Sequence, residues 1–376
     1  MDGEWVRLVF DQDVPFETIE YWCGYTWEKQ PPRMLKDLSS KPLGPITIQA
    51  GRHAAQPRRL DRLRDVHLVW SNFFISGNRC TSIYYDDPRV AVSGIVNWPG
   101  LSKLTGVFRH GNDFVTPRSR LQNVEHIGGR TMLASSDEPH NWGMYLLYVL
   151  PAVNHFIENR HLYDRLLVYA GHPNMWAILE FLGLTAADVI LHDYSRAYHF
   201  ECIDLFRQPR REFHVGPQAK SLVAKLREKI AGSTSIRTAH HIYAGRRRRT
   251  VEQRGYRALI NEPELIGRLV TMGYRPVDPE YLSPKGQIEL FGSKRNIVVL
   301  GGAGLFNAVF CQPGTKAIDI ESSRDHIENH STILSSMECD YGIILGQIDR
   351  SDPAPHNKRW TVNVEEAALA IAEFMS

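Results

Sequence analysis

The stretch Ile297-Val298-Val299-Leu300-Gly301-Gly302-Ala303-Gly304 decides the fold of the second half of the chain. Its four apolar residues, three of them β-branched, are typical of a buried strand, and the small residues that follow permit a tight turn. In such a turn backbone N–H groups can approach an anion closely, and a helix that starts there adds a favourable partial charge. The segment therefore predicts a strand whose carboxyl end binds a phosphate, although glycines after a strand also form ordinary turns.

Apolar strands alternate with amphipathic helices on both sides of this stretch, which predicts parallel α/β units. We predict two domains, residues 1–210 and 211–376, with an irregular segment over residues 1–60. Ligands are expected beyond the carboxyl ends of the strands. The predicted strands are 66–70, 81–85, 90–92, 166–169, 189–191, 241–244, 274–277, 297–300 and 316–320, and the predicted helices start near 141 and cover 175–182, 218–230, 262–272, 285–293 and 364–375.

Composition is ordinary for a globular protein. Of the 376 residues, 43% are apolar, and the formal net charge is +2, so no nucleic-acid partner is required. The five cysteines are scattered without a C-x-x-C pair, which argues against a zinc ribbon and fits a reducing compartment. The acidic residues Asp2 and Glu4 are not typical of the start of a signal peptide. No apolar run has the length of a membrane span. We expect a cytoplasmic protein.

Several polar residues lie near predicted strand ends. The run Arg246–Arg249 follows the strand 241–244, and one of its arginines could bind a diphosphate bidentately. The alternative is a solvated basic loop or a nucleic-acid patch. Asn261 and Glu262 open a helix and suit either capping or ligand contact. Asp319 ends a strand, where an acid often binds ribose hydroxyls.

The order of several motifs resembles glycosyltransferase family 61, roughly over residues 130–345 and most strongly over 242–321. That family includes bacterial capsule and lipopolysaccharide enzymes, plant xylosyltransferases and animal O-linked N-acetylglucosamine transferases. The segments that carry the resemblance are Ile242-Tyr243-Ala244-Gly245-Arg246, Arg257-Ala258-Leu259-Ile260-Asn261-Glu262, Gly273-Tyr274, Pro279-Glu280-Tyr281-Leu282-Ser283, Gln287-Ile288-Glu289-Leu290-Phe291, Gly302-Ala303-Gly304-Leu305-Phe306-Asn307, Phe310, Pro313-Gly314 and Ile318-Asp319.

The resemblance implies a GT-B fold, in which two Rossmann-like domains face each other across a crevice. It implies inverting transfer of a sugar from a nucleoside-diphosphate donor to a glycan hydroxyl, with the donor bound mainly by the C-terminal domain. Such transfer needs a base for the acceptor and positive charge for the leaving diphosphate. Neither a metal nor another cofactor is expected. The predicted donor-binding residues are Arg246, Asn261, Glu262, Gly302, Ala303, Gly304, Asn307 and Asp319.

The sequence departs from the family pattern where a base is expected. The family motif Asn-x-x-His-Trp, with an acid four residues after the His, corresponds to the segment that begins at Asn141. This chain has Met144 at the His position and Tyr148 at the acid position, and neither acts as an ordinary base at neutral pH. In the C-terminal motif, Gly301 replaces a His that usually precedes Gly-Ala-Gly.

Three explanations remain open for the missing base. The nearby Asp137, Glu138 and His140 are the predicted catalytic residues, although they also suit a polar loop that starts a helix. Asp86 or Asp87 is a second source. The enzyme could also serve a different donor or acceptor, or the protein could be a catalytically silent relative that binds a sugar nucleotide or glycan.

The expected partners are a nucleotide sugar and a glycan or lipid-linked glycan, in the assembly of a bacterial surface polysaccharide. No nucleic-acid partner is expected. With a lipid-linked acceptor, the protein could contact the inner membrane peripherally through its basic residues Arg58, Arg59, Arg62 and Arg64. No metal site is predicted, because His240 and His241 lack a partner at ligand spacing, and His155 and His161 are expected at the surface.

Overall fold

The chain forms two compact units, one of residues 1–26 and 54–212 and one of residues 27–53 and 213–376. In a computed structural model of the protein, none of the helices that are described is long and apolar enough to cross a membrane. The structure describes residues 4–10, 14–39, 46–71, 73–84, 106–136, 138, 140–207, 213–231, 241–246, 257–293, 296–322, 324, 326–353 and 358–376.

The first unit is built around a mixed eight-stranded sheet. Four neighbouring strands run parallel, in the order Val189–Leu191, Arg165–Val168, Glu125–Ala134 and Ala197–Arg207. The strand Ala197–Arg207 also pairs antiparallel with Arg58–Val69. The remaining strands of this sheet are Phe16–Trp22, Phe73–Ser76 and Arg79–Ser82, and a separate three-stranded sheet contains Trp5–Leu8, Phe108–His110 and Asp113–Pro117.

The longest helical stretch of this unit includes an unusual π-helical segment. The α-helix Trp142–Met144 continues into the π-helix Tyr145–Val149 and then into the α-helix Leu150–Glu158. Pro151 is the second residue of that last helix, and its missing N–H interrupts the hydrogen-bond ladder where the π-helix gives way to the α-helix. The other helices among the described residues of this unit are Arg118–Gln122, Pro173–Phe181 and the 3-10 helix Arg160–Leu162.

The second unit contains a six-stranded sheet that is parallel throughout. Val298, Ile318 and Ile344 are fully buried within its core, as expected for a parallel sheet whose two faces are covered. Across the sheet the strands follow the order Arg275–Val277, His241–Ala244, Asn296–Leu300, Lys316–Glu321, Asp340–Leu345 and Met34–Asp37.

Helices connect the strands of the second unit. Glu262–Thr271 has Pro263 in its first turn and is followed by Gly273, whose φ of +88° suits the residue after a helix. A short antiparallel pair is formed by Gln347–Ile348 and Trp360–Thr361. The other α-helices in the described part of this unit are Pro217–Ala231, Pro284–Gly292, Ile327–Ser336 and Val364–Met375, with 3-10 helices at Pro279–Tyr281 and Ala303–Phe310.

The described part of the first sixty residues forms strands, where the sequence predicts an irregular segment. These residues contribute strands to both units, and the strand Met34–Asp37 pairs in parallel with Asp340–Leu345, so residues 27–53 group with the second unit rather than with residues 1–210. Short strands of mixed polarity give a weak sequence signal, and long-range pairing creates them. A further two-stranded sheet is formed by Tyr25–Lys29 and Gly51–Ala55.

Candidate functional site

The parallel sheet of the second unit has its topological switch point between the strands His241–Ala244 and Asn296–Leu300. After His241–Ala244 the chain adds one strand on one side and then returns to add three on the opposite side, where the earlier strand Met34–Asp37 completes the sheet. In open α/β sheets of this order, ligands bind beyond the carboxyl ends of the two strands that flank the switch point. Arg246 follows the end of one strand and Gly302 the end of the other.

Arg246 and Gly302 lie against each other. A β-carbon placed on residue 302 would lie 1.8 Å from Nη2 of Arg246, so any larger residue at this position would force the guanidinium group to move. Gly302 also has φ +109° and ψ −155°, a backbone conformation that is essentially restricted to glycine. The structure therefore brings together two predicted donor residues that are 56 positions apart in the sequence.

The predicted phosphate turn leads into a helix of the 3-10 type, Ala303–Phe310. Ala303 and Gly304 are partly exposed at its first turn, where helical N–H groups lack partners within the helix. Asn307 is 1% exposed, and its Nδ2 donates to the carbonyl of Gly304 at 3.2 Å. Asn307 thus stabilises the turn, while Ala303 and Gly304 offer backbone to solvent.

Glu262 is a buried support for Arg246. Its Oε1 accepts hydrogen bonds from the backbone N–H of Arg246 and from the hydroxyl of Tyr243, each at 3.0 Å. Burial raises the pKa of the Glu262 carboxyl above its ordinary value, and the two hydrogen bonds oppose that shift. Gly245 permits this approach, because a β-carbon there would lie 2.5 Å from Oε1. Glu262 therefore positions the Arg246 backbone.

Asn261 has a structural contact instead of the capping bond that its position suggests. It precedes the helix Glu262–Thr271, yet its side chain makes no capping hydrogen bond. Its Nδ2 donates to the carbonyl of Val362 at 2.8 Å, and its Oδ1 accepts from the N–H of Val362 at 3.2 Å. Both polar atoms of the side chain thus link this helix to the segment before Val364–Met375.

Asp319 lies in a buried polar cluster with Glu321 and His330. Asp319 and Glu321 are fully buried, and His330 is 3% exposed. His330 Nδ1 lies 2.8 Å from Oδ2 of Asp319 and 3.7 Å from Oε2 of Glu321. Arg257, part of a family motif, pairs with Glu321. The sequence interpretation missed His330, which lies within a helix and belongs to no recognisable motif.

The predicted base cluster follows a strand end in the first unit. Asp137 lies outside the described residues, as do Asp86 and Asp87. Glu138 is partly buried and accepts a hydrogen bond from Nδ2 of Asn141 at 3.1 Å, whereas His140 is exposed. Asn141 Oδ1 in turn accepts from the N–H of Gly143 and caps the helix that starts there.

Met144 and Tyr148, which replace the expected His and acid, are 3% and 5% exposed. Tyr148 belongs to the π-helix Tyr145–Val149, a type of helix that is frequent at functional sites. Tyr145 in the same segment is fully buried and stacks on Trp142, with ring centroids 5.9 Å apart. The burial of Met144 and Tyr148 makes both replaced positions part of the packed interior of the first unit.

The structure changes two interpretations of basic residues in the first unit. His155 was expected at the surface, but it is only 9% exposed and packs edge-on against Phe206, and burial lowers its pKa. In the predicted membrane patch, Arg62 forms two hydrogen bonds with buried Asp204, and Arg59 pairs with buried Asp61. Two of the four arginines of the predicted membrane patch are therefore paired with buried carboxylates.

Comparison with known proteins identifies the family. No curated protein matches the chain. The family model described as Glycosyltransferase 61 matches residues 113–318, which include Arg246, Glu262 and Gly302 and cover more than half of the 376 residues. Members of this family transfer sugars from a donor to an acceptor. The protein therefore belongs to glycosyltransferase family 61 and is a glycosyltransferase.

Proposed function

We propose that this enzyme transfers a sugar, with inversion, from a nucleoside-diphosphate donor to a glycan hydroxyl. The observation that carries the proposal is the contact between Arg246 and Gly302 at the switch point of the parallel sheet. An arginine can pair bidentately with a diphosphate, and the exposed turn at Ala303 and Gly304 offers backbone N–H groups. The GT-B arrangement is part of the proposal and rests on family membership.

In this proposal the second unit stabilises the leaving group, the nucleoside diphosphate. Cleavage of the bond between the sugar and the diphosphate leaves negative charge on the diphosphate, and a fixed cation stabilises that charge as it develops. Buried Glu262 accepts a hydrogen bond of 3.0 Å from the backbone N–H of Arg246. This bond fixes the backbone from which the Arg246 side chain extends, so less reorganisation is needed to bring the guanidinium group to the diphosphate.

Calorimetric titration with uridine, guanosine, cytidine and thymidine diphosphates tests the donor site. We expect at least one to bind, Arg246→Ala to weaken that binding at least ~10-fold, and Arg246→Lys to have an intermediate effect because lysine lacks the planar fork. Arg275→Ala is the matched control, since Arg275 is exposed at the amino end of a neighbouring strand. Absence of binding by all four nucleotides, or equal losses in the two alanine variants, would refute the donor site.

The base is proposed to come from Asp137, Glu138 or His140, with Asp86 or Asp87 as the alternative source. Release of nucleoside diphosphate from the donor identified above can be measured in Asp137→Asn, Glu138→Gln and His140→Ala. Loss of turnover by at least ~100-fold with unchanged nucleotide affinity would mark the base. Full turnover in all three variants would exclude this cluster. Activity in the parent protein would also exclude the catalytically silent alternative.

The role in surface-polysaccharide assembly and a lipid-linked acceptor are also proposed, and both rest on the family. Because Arg59 and Arg62 pair with buried aspartates, the more available basic residues of that strand are Arg58 and the exposed Arg64. Sedimentation with vesicles containing anionic lipid tests peripheral contact. Binding that weakens with salt and in Arg58→Ala/Arg64→Ala would support it, and absence of binding at low salt would remove it.

A further inference from the structure

The buried cluster of Asp319, Glu321 and His330 has the composition of a cation site. One ligand atom from each residue lies within 4.8 Å of the other two. Asp319 and Glu321 have no exposed surface, and His330 has 3%. Two adjacent buried carboxylates are costly unless a positive charge compensates them. Arg257 supplies one positive charge through Oε1 of Glu321, and the second buried carboxylate leaves room for another.

In each carboxylate, one oxygen has hydrogen-bond partners and the other has none among the described residues. Oε1 of Glu321 accepts from Arg257, from Oγ of Ser322 at 2.8 Å and from the N–H of Ser322 at 2.6 Å. Oδ2 of Asp319 lies 2.8 Å from Nδ1 of His330. The other oxygens, Oε2 of Glu321 and Oδ1 of Asp319, are buried and have no hydrogen-bond partner among the described residues.

The two unpartnered oxygens lie close to the same position. A β-carbon on residue 301 would lie 2.3 Å from Oε2 of Glu321 and 3.0 Å from Oδ1 of Asp319. Both oxygens therefore border the space that the missing β-carbon of Gly301 leaves free. His330 faces the same group of atoms, since its Nδ1 is 3.7 Å from Oε2 of Glu321. Buried oxygens without hydrogen-bond donors, close to one another and to an imidazole nitrogen, form a set of ligands that a cation can bind.

We propose that Asp319, Glu321 and His330 bind one divalent transition-metal cation. An imidazole nitrogen with two carboxylate oxygens suits Zn²⁺ or Mn²⁺ better than Mg²⁺ or Ca²⁺, which prefer oxygen ligands alone. Arg257 and Ser322 would orient Glu321 as outer-sphere partners through their bonds to Oε1. We assign Nδ1 of the neutral imidazole as the ligand atom. Binding of the metal at Nδ1 therefore displaces the hydrogen bond between Nδ1 and Asp319.

This inference goes beyond the proposed donor site and departs from the expectation that the protein needs no metal. Asp319 was predicted to contact the donor ribose, whereas this assignment gives its carboxylate to a cation. The site lies next to the donor turn, because Gly301 directly precedes Gly302. The cation would add positive charge beneath the phosphate-binding loop. Its binding can nevertheless be measured without nucleotide, so either proposal can fail while the other stands.

The test measures metal binding by the full-length protein. Protein stripped with a chelator is titrated with Zn²⁺ by calorimetry, and bound metal is counted by mass spectrometry. Mn²⁺ binding is followed by electron paramagnetic resonance, with Mg²⁺ for comparison. We expect one equivalent of Zn²⁺ that Asp319→Asn and His330→Gln both lose, with Mn²⁺ at the same site but weaker. The affinity should fall at least ~10-fold in each variant.

His326→Gln is the matched control, because His326 lies just before the same helix and its ring stacks 6.2 Å from that of His330. The His326→Gln variant should still bind one equivalent of Zn²⁺. Thermal melts keep the test valid if the variants are less stable: Zn²⁺ should raise the Tm of the parent and of His326→Gln but not of Asp319→Asn or His330→Gln. No stoichiometric metal in the parent, or equal binding in all variants, would overturn the proposal.

Discussion

The guanidinium group of Arg246 occupies the space where residue 302 would carry a β-carbon, with Nη2 only 1.8 Å from that position. The two residues belong to different loops that follow neighbouring parallel strands. A side chain at residue 302 would displace the cation that we assign to the donor diphosphate. The φ of +109° at Gly302 favours glycine at the second position of the Gly-Gly-Ala-Gly turn, and glycine also leaves the guanidinium group of Arg246 in place.

Gly302→Ala should weaken nucleoside-diphosphate binding at least ~10-fold and lower stability by ~1–3 kcal/mol, because its φ of +109° strains any other residue. Calorimetric titration and thermal melts measure the two effects. Gly304→Ala is the control for stability, since a β-carbon there meets no atom within 4 Å. Unchanged nucleotide affinity in Gly302→Ala would contradict the role of the Arg246 contact.

Glu262→Ala should destabilise the protein by ~1–3 kcal/mol, because it leaves the N–H of Arg246 and the hydroxyl of Tyr243 without their acceptor. It should also reduce nucleotide affinity, although Glu262 is 1% exposed and is not assigned a ligand contact. Glu262→Gln keeps an acceptor oxygen and should recover much of both losses. Similar affinity in the parent and Glu262→Ala would show that Arg246 is positioned without Glu262.

Asp204→Asn should destabilise the protein by ~3 kcal/mol. Asp204 is fully buried and pairs with Arg62 at 2.8 Å and with Arg130 at 2.5 Å, so the change removes the buried counter-charge of both arginines and leaves Arg62 only its longer pairing with exposed Glu17. The control is Asp113→Asn, whose partner Arg7 is 64% exposed, and its cost should stay below ~1 kcal/mol. Urea unfolding measures both, and equal costs would show that burial does not distinguish the two pairs.

Acid should destabilise the first unit through His192. Burial lowers the pKa of this imidazole from 6.5 to about 3, and its ring packs against Tyr194 and Tyr198. The unfolded chain therefore binds the proton first, so this contribution to stability is intact above pH 6.5 and is lost as the pH falls toward 3. The slope is about 1.4 kcal/mol per pH unit for one proton.

His192→Gln should remove this part of the pH dependence, whereas His161→Gln should retain it, because His161 is exposed. Unfolding by urea at pH values from 7 to 4 provides the measurement. A parent protein and a His192→Gln variant whose stability curves stay parallel over that range would contradict the role given to His192.

The local pattern predicted many elements of the second unit because each signal lies within a few consecutive residues. The β-branched run at 297–300 predicted the strand Asn296–Leu300, and the apolar spacing before Gly273 predicted the helix Glu262–Thr271. The strand Met34–Asp37 had no such signal, because its partner Asp340–Leu345 lies about 300 residues away.

The candidate site shows the same division. The sequence by itself determined the family, the Gly-rich turn and the presence of an arginine after the strand His241–Ala244, since these depend on residue order. Only the tertiary structure decided that Arg246 fills the space over Gly302 and that His330 joins Asp319. Contacts between residues distant in sequence depend on which strands become neighbours in the sheet, and residue order alone does not specify that pairing.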